Sequence, residues 1–583
     1  ANGMGAIPAQ NFQLWRNGEQ VPVYTSISSG ILGGTDYIEF YGIINDGKAD
    51  KALYRDPSYQ INDRVSLQTD SSAYYLTYNT TGNNTRINST VNNVAGNTLP
   101  PEPFLTYTEK YDFKDIISRG YAVSVPEYLY SSSYDMGEML STSELSPASN
   151  AIYTRKFYPY TVGSNTCTVK VGAAGVAPNN RNVRVNLNAN QIGEITLNAF
   201  EAKTQTFTNI PINIIPTGDG NYNLKNLSSN GFDRVVFSFM DITYPRLFDF
   251  NNQRSFEFEL RGSGTSKYLE ITDFDGGNTA PILYDITNNK RYIADITVPG
   301  VIRFVIPNIL GIAKYVLLSQ DINHVNSVNT LKQRTFINYA APANQGDYLI
   351  ISNSILSTLV NGVNPVDQYR LYRSSAAGGA YNAKVYDIDQ LEDQFAYGIK
   401  KHPSSIRNFL RYARQQFNVQ PKFAFLIGKG VSYQYYRFSQ DLPETDRLNL
   451  IPTFGYPGSD ILLSSADINP HPTTPIGRLS VINGTEIIDY LDKVKEYEAA
   501  QANRSNTSID KAWMKNIVHI AGSNSPALDN ELRGYFSRYN RMISDTLYGG
   551  NVTTFNKFNS GTAVDIQNEL LTNLFMQGIS MLT

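Results

Sequence analysis

Phe423-Ala424-Phe425-Leu426-Ile427-Gly428-Lys429-Gly430 decides the fold of this chain. Five consecutive apolar residues are too few for a helix and do not alternate, so they read as a buried strand. The glycines behind them let the backbone turn sharply at the strand's carboxyl end. Such a strand needs helices over its faces, and the flanking sequence supplies them. Upstream, Ile406, Phe409, Leu410, Ala413 and Phe417 recur at helical spacing behind Pro403 and Ser404. Downstream, Ile487, Ile488, Leu491 and Val494 mark a helix opened by Asn483-Gly484-Thr485, and residues 528–543 form another. Residues 347–352, 383–388, 516–522 and 578–583 are further short apolar strands, the last of them read as buried. Strands alternating with helices predict a parallel sheet with helices on its faces. We expect Tyr348–Ser352, 383–388, Phe423–Ile427, 516–522 and 579–582 in one sheet, with Ser352, Gly428 and Gly522 along one edge near Thr583.

The rest of the chain reads differently. Residues 1 to about 150 hold short aromatic strands, such as Tyr37-Ile38-Glu39-Phe40-Tyr41 and Tyr74-Tyr75-Leu76-Thr77-Tyr78, with Asn17-Gly18 and Asn45-Asp46-Gly47 as turn signals. The Asn-rich stretch 80–97 has no periodicity and reads as a long loop. From about 150 to 325 the alternation is cleaner, as in Thr166-Cys167-Thr168-Val169-Lys170-Val171 and Val183-Arg184-Val185-Asn186-Leu187. Strands at this spacing without helical pattern between them predict an antiparallel β-sandwich. The expected organisation is multidomain: a β-rich domain over 1–150, a sandwich over 151–335 and an α/β domain over 340–583.

Bulk properties narrow the function. A length of 583 residues exceeds one hydrophobic core. Charged residues are only 17% of the chain and the net charge is −3, so no basic surplus points to nucleic acid or anionic lipid. A surface of Asn, Ser, Thr and Gly with 40 tyrosines fits an exported β protein. Cys167 is the only cysteine, so no internal disulfide forms. No stretch of about 18 apolar residues is present to span a membrane as a helix.

On residues alone, the carboxyl ends of the parallel strands locate a site, because helix N-termini gather there. They are Ser352-Asn353-Ser354, Gly428-Lys429-Gly430 and Gly522-Ser523-Asn524. The GxxxxGK[ST] spacing of a phosphate loop is absent, as is a GxSxG elbow. His324, His402, His471 and His519 have no second ligand at zinc spacing. His519 lies mid-strand, His471 lies in a loop, and Cys167 reads as a small semi-buried strand residue, not a nucleophile. The residues thus give a location without a catalytic set.

A family resemblance adds to this. Asp36-Tyr37-Ile38-Glu39-Phe40-Tyr41-Gly42, Asn45-Asp46-Gly47, Ser66-Leu67-Gln68-Thr69-Asp70, Tyr244-Pro245-Arg246 and Pro281-Ile282-Leu283-Tyr284-Asp285 carry it in the β part. Residues 387–398, Ile406-Arg407-Asn408-Phe409-Leu410-Arg411-Tyr412-Ala413 and Pro475-Ile476-Gly477-Arg478-Leu479 carry it in the α/β part. In this order they resemble the gingipain (C25) cysteine peptidases, and over the full length the PorU-type branch that serves as signal peptidase and sortase of the bacterial type IX secretion system.

The resemblance implies a gingipain/caspase-like α/β domain, incomplete at its C-terminus. It places the catalytic His, in a Gly-His pair, and the catalytic Cys beyond Thr583, so the sequence itself holds no catalytic residue and is expected to be inactive alone. Ser459-Asp460 resembles a segment shaping the substrate pocket, with Asp467 nearby; both are candidate substrate-binding residues. Lys429 stands where the family has an acidic residue, which puts a role for that position in doubt. The implied chemistry is thiol acyl transfer without a cofactor; metal content is left open, with room for structural calcium. Implied partners are a PorV-type outer-membrane β-barrel, secreted cargo with C-terminal signal domains and a surface glycolipid acceptor, at the outer face of a bacterial outer membrane. A catalytically inactive paralogue that binds a secretion partner, and a β-sandwich adhesin, stay open beside it.

Overall fold

Asn17 and Gly18 both have positive φ, 51° and 78°, which is what a two-residue hairpin turn between right-twisted strands requires. They join β1 (Phe12–Arg16) to β2 (Glu19–Val21), with Arg16 opposite Glu19, and β1 also pairs with β3 (Tyr75–Tyr78). The computed structural model describes residues 3–82, 84–125, 127–147, 149–163, 165–308, 310–466, 471–502, 507–556 and 564–583. The stretch expected as a long loop contains β4 (Asn88–Thr90). Its polar residues are held by pairing: β4 runs parallel to a strand 200 residues on, and Asn92 donates to the carbonyls of Ile293 and Arg303.

Two β-sandwiches follow where the sequence suggested one. The first uses β5 (Leu105–Asp112), β6 (Asn150–Phe157), β7 (Thr166–Gly175), β8 (Arg181–Leu187), β9 (Asn190–Leu197), β10 (Ala202–Pro211), β11 (Gly218–Asn226) and β12 (Val235–Arg246). Its sheets are β6-β11-β8-β9 and β10-β7-β12-β5, wholly antiparallel. Val183, Val185 and Leu187 alternate inward on β8 and meet Val169 and Val171 of β7 in one fully buried core. Each such side chain contributes about 1.5–3 kcal/mol on burial.

The second sandwich uses β13 (Asp249–Gln253), β14 (Ser255–Ser263), β15 (Lys267–Phe274), β16 (Ile282–Asp285), β17 (Lys290–Ile293), β18 (Ile302–Ile306) and β19 (Leu310–Leu318). Its sheets are β13-β15-β18 and β14-β19-β16-β17-β4. Phe250, Phe258, Leu269, Phe304 and Tyr315 fill a core of its own.

The α/β region begins with β20 (Tyr348–Ser352), buried at all five positions. Then come α1 (Pro365–Ser374), β21 (Ala383–Asp387), α2 (Ile388–Phe395), α3 (Ser404–Gln416), β22 (Phe423–Ile427), α4 (Tyr433–Ser439) and β23 (Ile476–Leu479). The four strands form one parallel sheet, β21-β20-β22-β23. Ile406, Phe409, Leu410 and Ala413 of α3 are buried in one core with Leu349, Ile351, Ala424 and Leu426 of the strands. That core also takes in Leu53, Tyr54, Leu67, Tyr134 and Leu140 from the N-terminal part.

The chain divides into two compact units: residues 1–122, 130–358 and 382–483, and residues 123–129, 359–381 and 484–583. The second holds α1, α5 (Gly484–Ala502), β24 (Asn516–Ala521), α6 (Pro526–Ile543), β25 (Asn551–Asn556), α7 (Val564–Gln577) and β26 (Met581–Leu582). Glu498 of α5 joins α1, accepting from Tyr372 at 2.5 Å and Arg373 at 2.8 Å. Its sheet is β25-β24-β26, all parallel.

The expectation of one sheet is therefore corrected: 516–522 and 579–582 belong to a second sheet. The place beside β22 is taken by β23, whose Ile-Gly-Arg-Leu has too little apolar character to read as a strand. The last strand is also not buried, because Met581 and Leu582 on the edge strand are each 51% exposed. No helix among the described residues is long and apolar enough to cross a membrane.

Candidate functional site

The parallel sheet of the first unit has its topological switch between β20 and β22. The chain leaves β20 for β21 on one side and returns to β22 on the other, which opens a crevice beyond their carboxyl ends. Ser352 closes β20; it is buried and its hydroxyl donates to the Ile427 carbonyl at 3.2 Å. Asn353 caps the next turn, accepting from the Ile355 amide at 3.0 Å. Asp387 at the end of β21 caps α2, accepting from the Asp389 amide at 2.9 Å, and burial pushes its carboxyl above the usual range.

Gly428 ends β22 with φ 144°, and a Cβ there would stand 2.7 Å from Ile451. The position therefore needs glycine. The Lys429 carbonyl accepts from the amides of Leu450 and Ile451 at 2.9 and 3.0 Å, so the turn after β22 is tied to the following loop.

Arg478 of β23 is the centre of this edge. Its guanidinium donates to the carbonyls of Gly428, Ile451 and Pro452 at 2.9, 2.8 and 2.9 Å. It also pairs with both carboxylate oxygens of Asp460, at 2.8 and 2.7 Å. Five bonds from a planar fork fix two loops against two strand ends. Asp460, a candidate substrate-binding residue, thus sits at this edge with its charge matched by Arg478. Asp467 lies outside the described residues.

The other candidates fall elsewhere. His402 is buried against Asp50, Nε2 to Oδ1 at 3.1 Å, while its Nδ1 accepts from the Ser404 amide at 3.2 Å. Those partners assign the proton to Nε2 and leave neither nitrogen for substrate. Asp50 also accepts from the Leu67 amide at 2.6 Å and from the Ser66 hydroxyl. This is a packing lock between the N-terminal part and α3. His471 is exposed, and His324 bonds Ser319 at 2.8 Å. His519 is 1% exposed in β24, stacked on Phe536 at 4.8 Å, and neither ring nitrogen has a partner. Cys167 lies buried in β7, and desolvation pushes its thiol up to about 11. Among the described residues no group of three or more His, Cys, Asp or Glu could hold a metal ion.

Sequence reasoning missed the buried acids, Glu138 and Glu392 among them. Glu138 accepts from the Tyr433 hydroxyl and from the Asp135 amide, and burial pushes its carboxyl up to about 8. It lies within Asp135-Met136-Gly137-Glu138, which reads as an ordinary polar turn. Arg478 lies in Pro475-Ile476-Gly477-Arg478-Leu479, one of the segments that carry the family resemblance, and its role shows only in the bonds it makes.

Residues 341–583 match the model of peptidase family C25. No curated protein matches the sequence. Among solved structures, dimeric latent PorU from Porphyromonas gingivalis matches 89% of this chain at TM-score 0.51 and 12% identity. The chain spans 51% of the length of that PorU chain. The carbohydrate-binding module CBM36, solved with calcium and xylotriose, matches 23% of this chain and 98% of its own at TM-score 0.16 and 18% identity. A CBM36 domain of a xylanase from the hindgut metagenome of Trinervitermes trinervoides matches 23% of this chain and 96% of its own at TM-score 0.16 and 12% identity.

Proposed function

We propose, from the match of residues 341–583 to the model of peptidase family C25 and from the fold shared with PorU, a signal peptidase and sortase of a type IX secretion system. The observation that carries the reading is the family match over the stretch that builds both parallel sheets. In the proposed reaction a Cys thiolate attacks the peptide bond before the C-terminal signal of an exported cargo. A His takes the thiol proton and gives it to the leaving amine. Water, or an amine on a surface glycolipid, resolves the acyl-enzyme.

We assign the thiol and imidazole to polypeptide outside these 583 residues. Cys167 is the sole cysteine, lies in a sandwich strand, and is held as a thiol by burial. The chain's own contribution is the frame. Arg478, Asp460 and Gly428 hold the crevice edge, and Asp460 acts on substrate by shaping its loop. Asp467 remains a proposed substrate contact. The reaction needs no cofactor, and any calcium serves structure. The proposed setting is the outer face of a bacterial outer membrane, held by a PorV-type barrel. A second reading, an inactive paralogue serving as a binding component, is favoured by the same lack of a cysteine in residues 340–583.

The test is the C-terminus of exported cargo in cells lacking the gene. Mass spectrometry should find the signal retained and the glycolipid absent. Cargo trimmed and anchored as in the parent strain would end the proposal, and trimming restored by a parent gene without its cysteines would favour the second reading.

A further inference from the structure

A cavity of about 600 Å³ opens between the two sandwiches, walled by β5, β6, β11 and β12 on one side and β13 and β14 on the other. The peptidase reading makes no use of it. Its lining carries four cations, Lys110, Arg155, Lys156 and Arg246. Of its three carboxylates, Glu257 is already paired with Lys314 at 2.9 Å, which leaves Glu109 and Asp219. Among the described residues no carboxylate stands within 4.0 Å of any of the four cations. The wall thus carries more cations than carboxylates, with Glu109 in Coulombic reach of Arg155 and Arg246 and Asp241 in reach of Lys110, but with none of the four cations tied up in a direct ion pair.

Two of the cations are held in place. Arg246 is 2% exposed, with its guanidinium carbon 4.6–5.1 Å from the ring centres of Tyr158, Tyr107 and Phe256. It donates to the Tyr244 hydroxyl and the Asp249 carbonyl, and its Nε has no partner. Arg155 lies 3.7 Å over Tyr111 and donates from Nη1 to the Thr154 carbonyl, leaving Nε and Nη2 for an incoming oxyanion. A guanidinium stacked on a ring loses little freedom when it takes a carboxylate or phosphate in its fork.

The remaining features suit hydroxyl groups and an apolar ring face. Tyr158 is half-buried, covered by Arg246 on one face and fixed by its hydroxyl bond to Asn251 at 2.5 Å. Tyr158 lines the cavity, and an aromatic ring there suits the C–H side of a sugar ring. Asn251, Glu109 and Asp219 supply acceptors for hydroxyls. We propose that this cavity binds an acidic sugar, a saccharide unit bearing a carboxylate or a phosphate.

Titration calorimetry on the full chain with D-glucuronate, glucose 6-phosphate, D-glucose and inorganic phosphate tests this. At least one of the two acidic sugars should bind in about the millimolar range, and the tighter one identifies the oxyanion. Arg155→Gln should weaken it at least about tenfold, a loss of about 1.4 kcal/mol. Lys156→Gln, at an exposed position that leaves folding intact, should weaken it in the same direction, and unchanged melting of both variants excludes misfolding. No binding of either acidic sugar overturns the proposal. Equal binding of D-glucose, or no loss in both variants, overturns the role of charge. Inorganic phosphate binding as tightly as glucose 6-phosphate overturns the sugar. None of these outcomes bears on the peptidase reading.

Discussion

Arg478 grips Asp460 by both carboxylate oxygens, at 2.7 and 2.8 Å, and with its remaining donors holds the carbonyls that end β22 and begin the next loop. A carboxylate so placed shapes the edge of the crevice more than it offers charge to a substrate.

Arg478→Ala strips partners from one carboxylate and three carbonyls in a site where Arg478 is only 10% exposed. We expect a loss of about 2–4 kcal/mol in denaturant unfolding. Arg478→Lys should recover only part, because an ammonium cannot match the fork. Asp460→Asn should cost less, about 1–2 kcal/mol. Equal midpoints for Arg478→Ala and the parent would show that the frame rests on something else.

Glu138 gives the protein a pH dependence. Burial raises its carboxyl to about 8 from 4.5, so below pH 4.5 both folded and unfolded states hold the proton and its contribution is full. As pH rises from there the unfolded state releases the proton and the folded state keeps it. Stability then falls by about 1.4 kcal/mol per pH unit until the folded value is passed. Glu392, raised to about 7, acts in the same direction. The unfolding free energy of the parent relative to Glu138→Gln should fall steadily from pH 5 to 8. A constant difference would contradict this.

His519 has the opposite sign. Desolvation holds its imidazole below 6.5, so stability is full above that value and is lost as pH falls and the unfolded state gains a proton. Amide exchange of β24, corrected for intrinsic rate, should show protection falling between pH 7 and 5. His519→Phe keeps the stack on Phe536 and should remove the loss. The same acid sensitivity in both would place its source elsewhere.

Asp50→Ala leaves His402, Ser66 and the Leu67 amide without their buried acceptor. The cost should be about 3–5 kcal/mol. Because Leu53, Tyr54 and Tyr134 share one core with α3 and β20, loss should appear as one transition at a lower midpoint. Separate melting of an N-terminal domain would refute that common core.

Local pattern made part of this legible. The spacing of Ile406, Phe409, Leu410 and Ala413 defined α3, and the apolar runs defined β20, β22 and β24, because each element buries its own periodic residues. Asn17-Gly18 defined a hairpin by its backbone needs alone. What depended on distant partners was hidden. β4 is polar and exists through its neighbour β17, and β23 exists because β22 offers an open edge. The second sandwich was not separable because both sandwiches alternate with the same period. At the site, Gly428 was visible as a turn residue. The bond between Asp460 and Arg478 spans 18 residues of irregular chain and has no periodicity to betray it.

The most direct test of the central claim, a thiol peptidase built on this frame, is where a peptidyl electrophile attaches. The 583-residue chain and the whole product of its gene are treated alike and the adduct is mapped by mass spectrometry. We expect an adduct in the gene product on a cysteine outside these 583 residues, and none above the free-thiol rate on Cys167. A rapid adduct on Cys167 would contradict it.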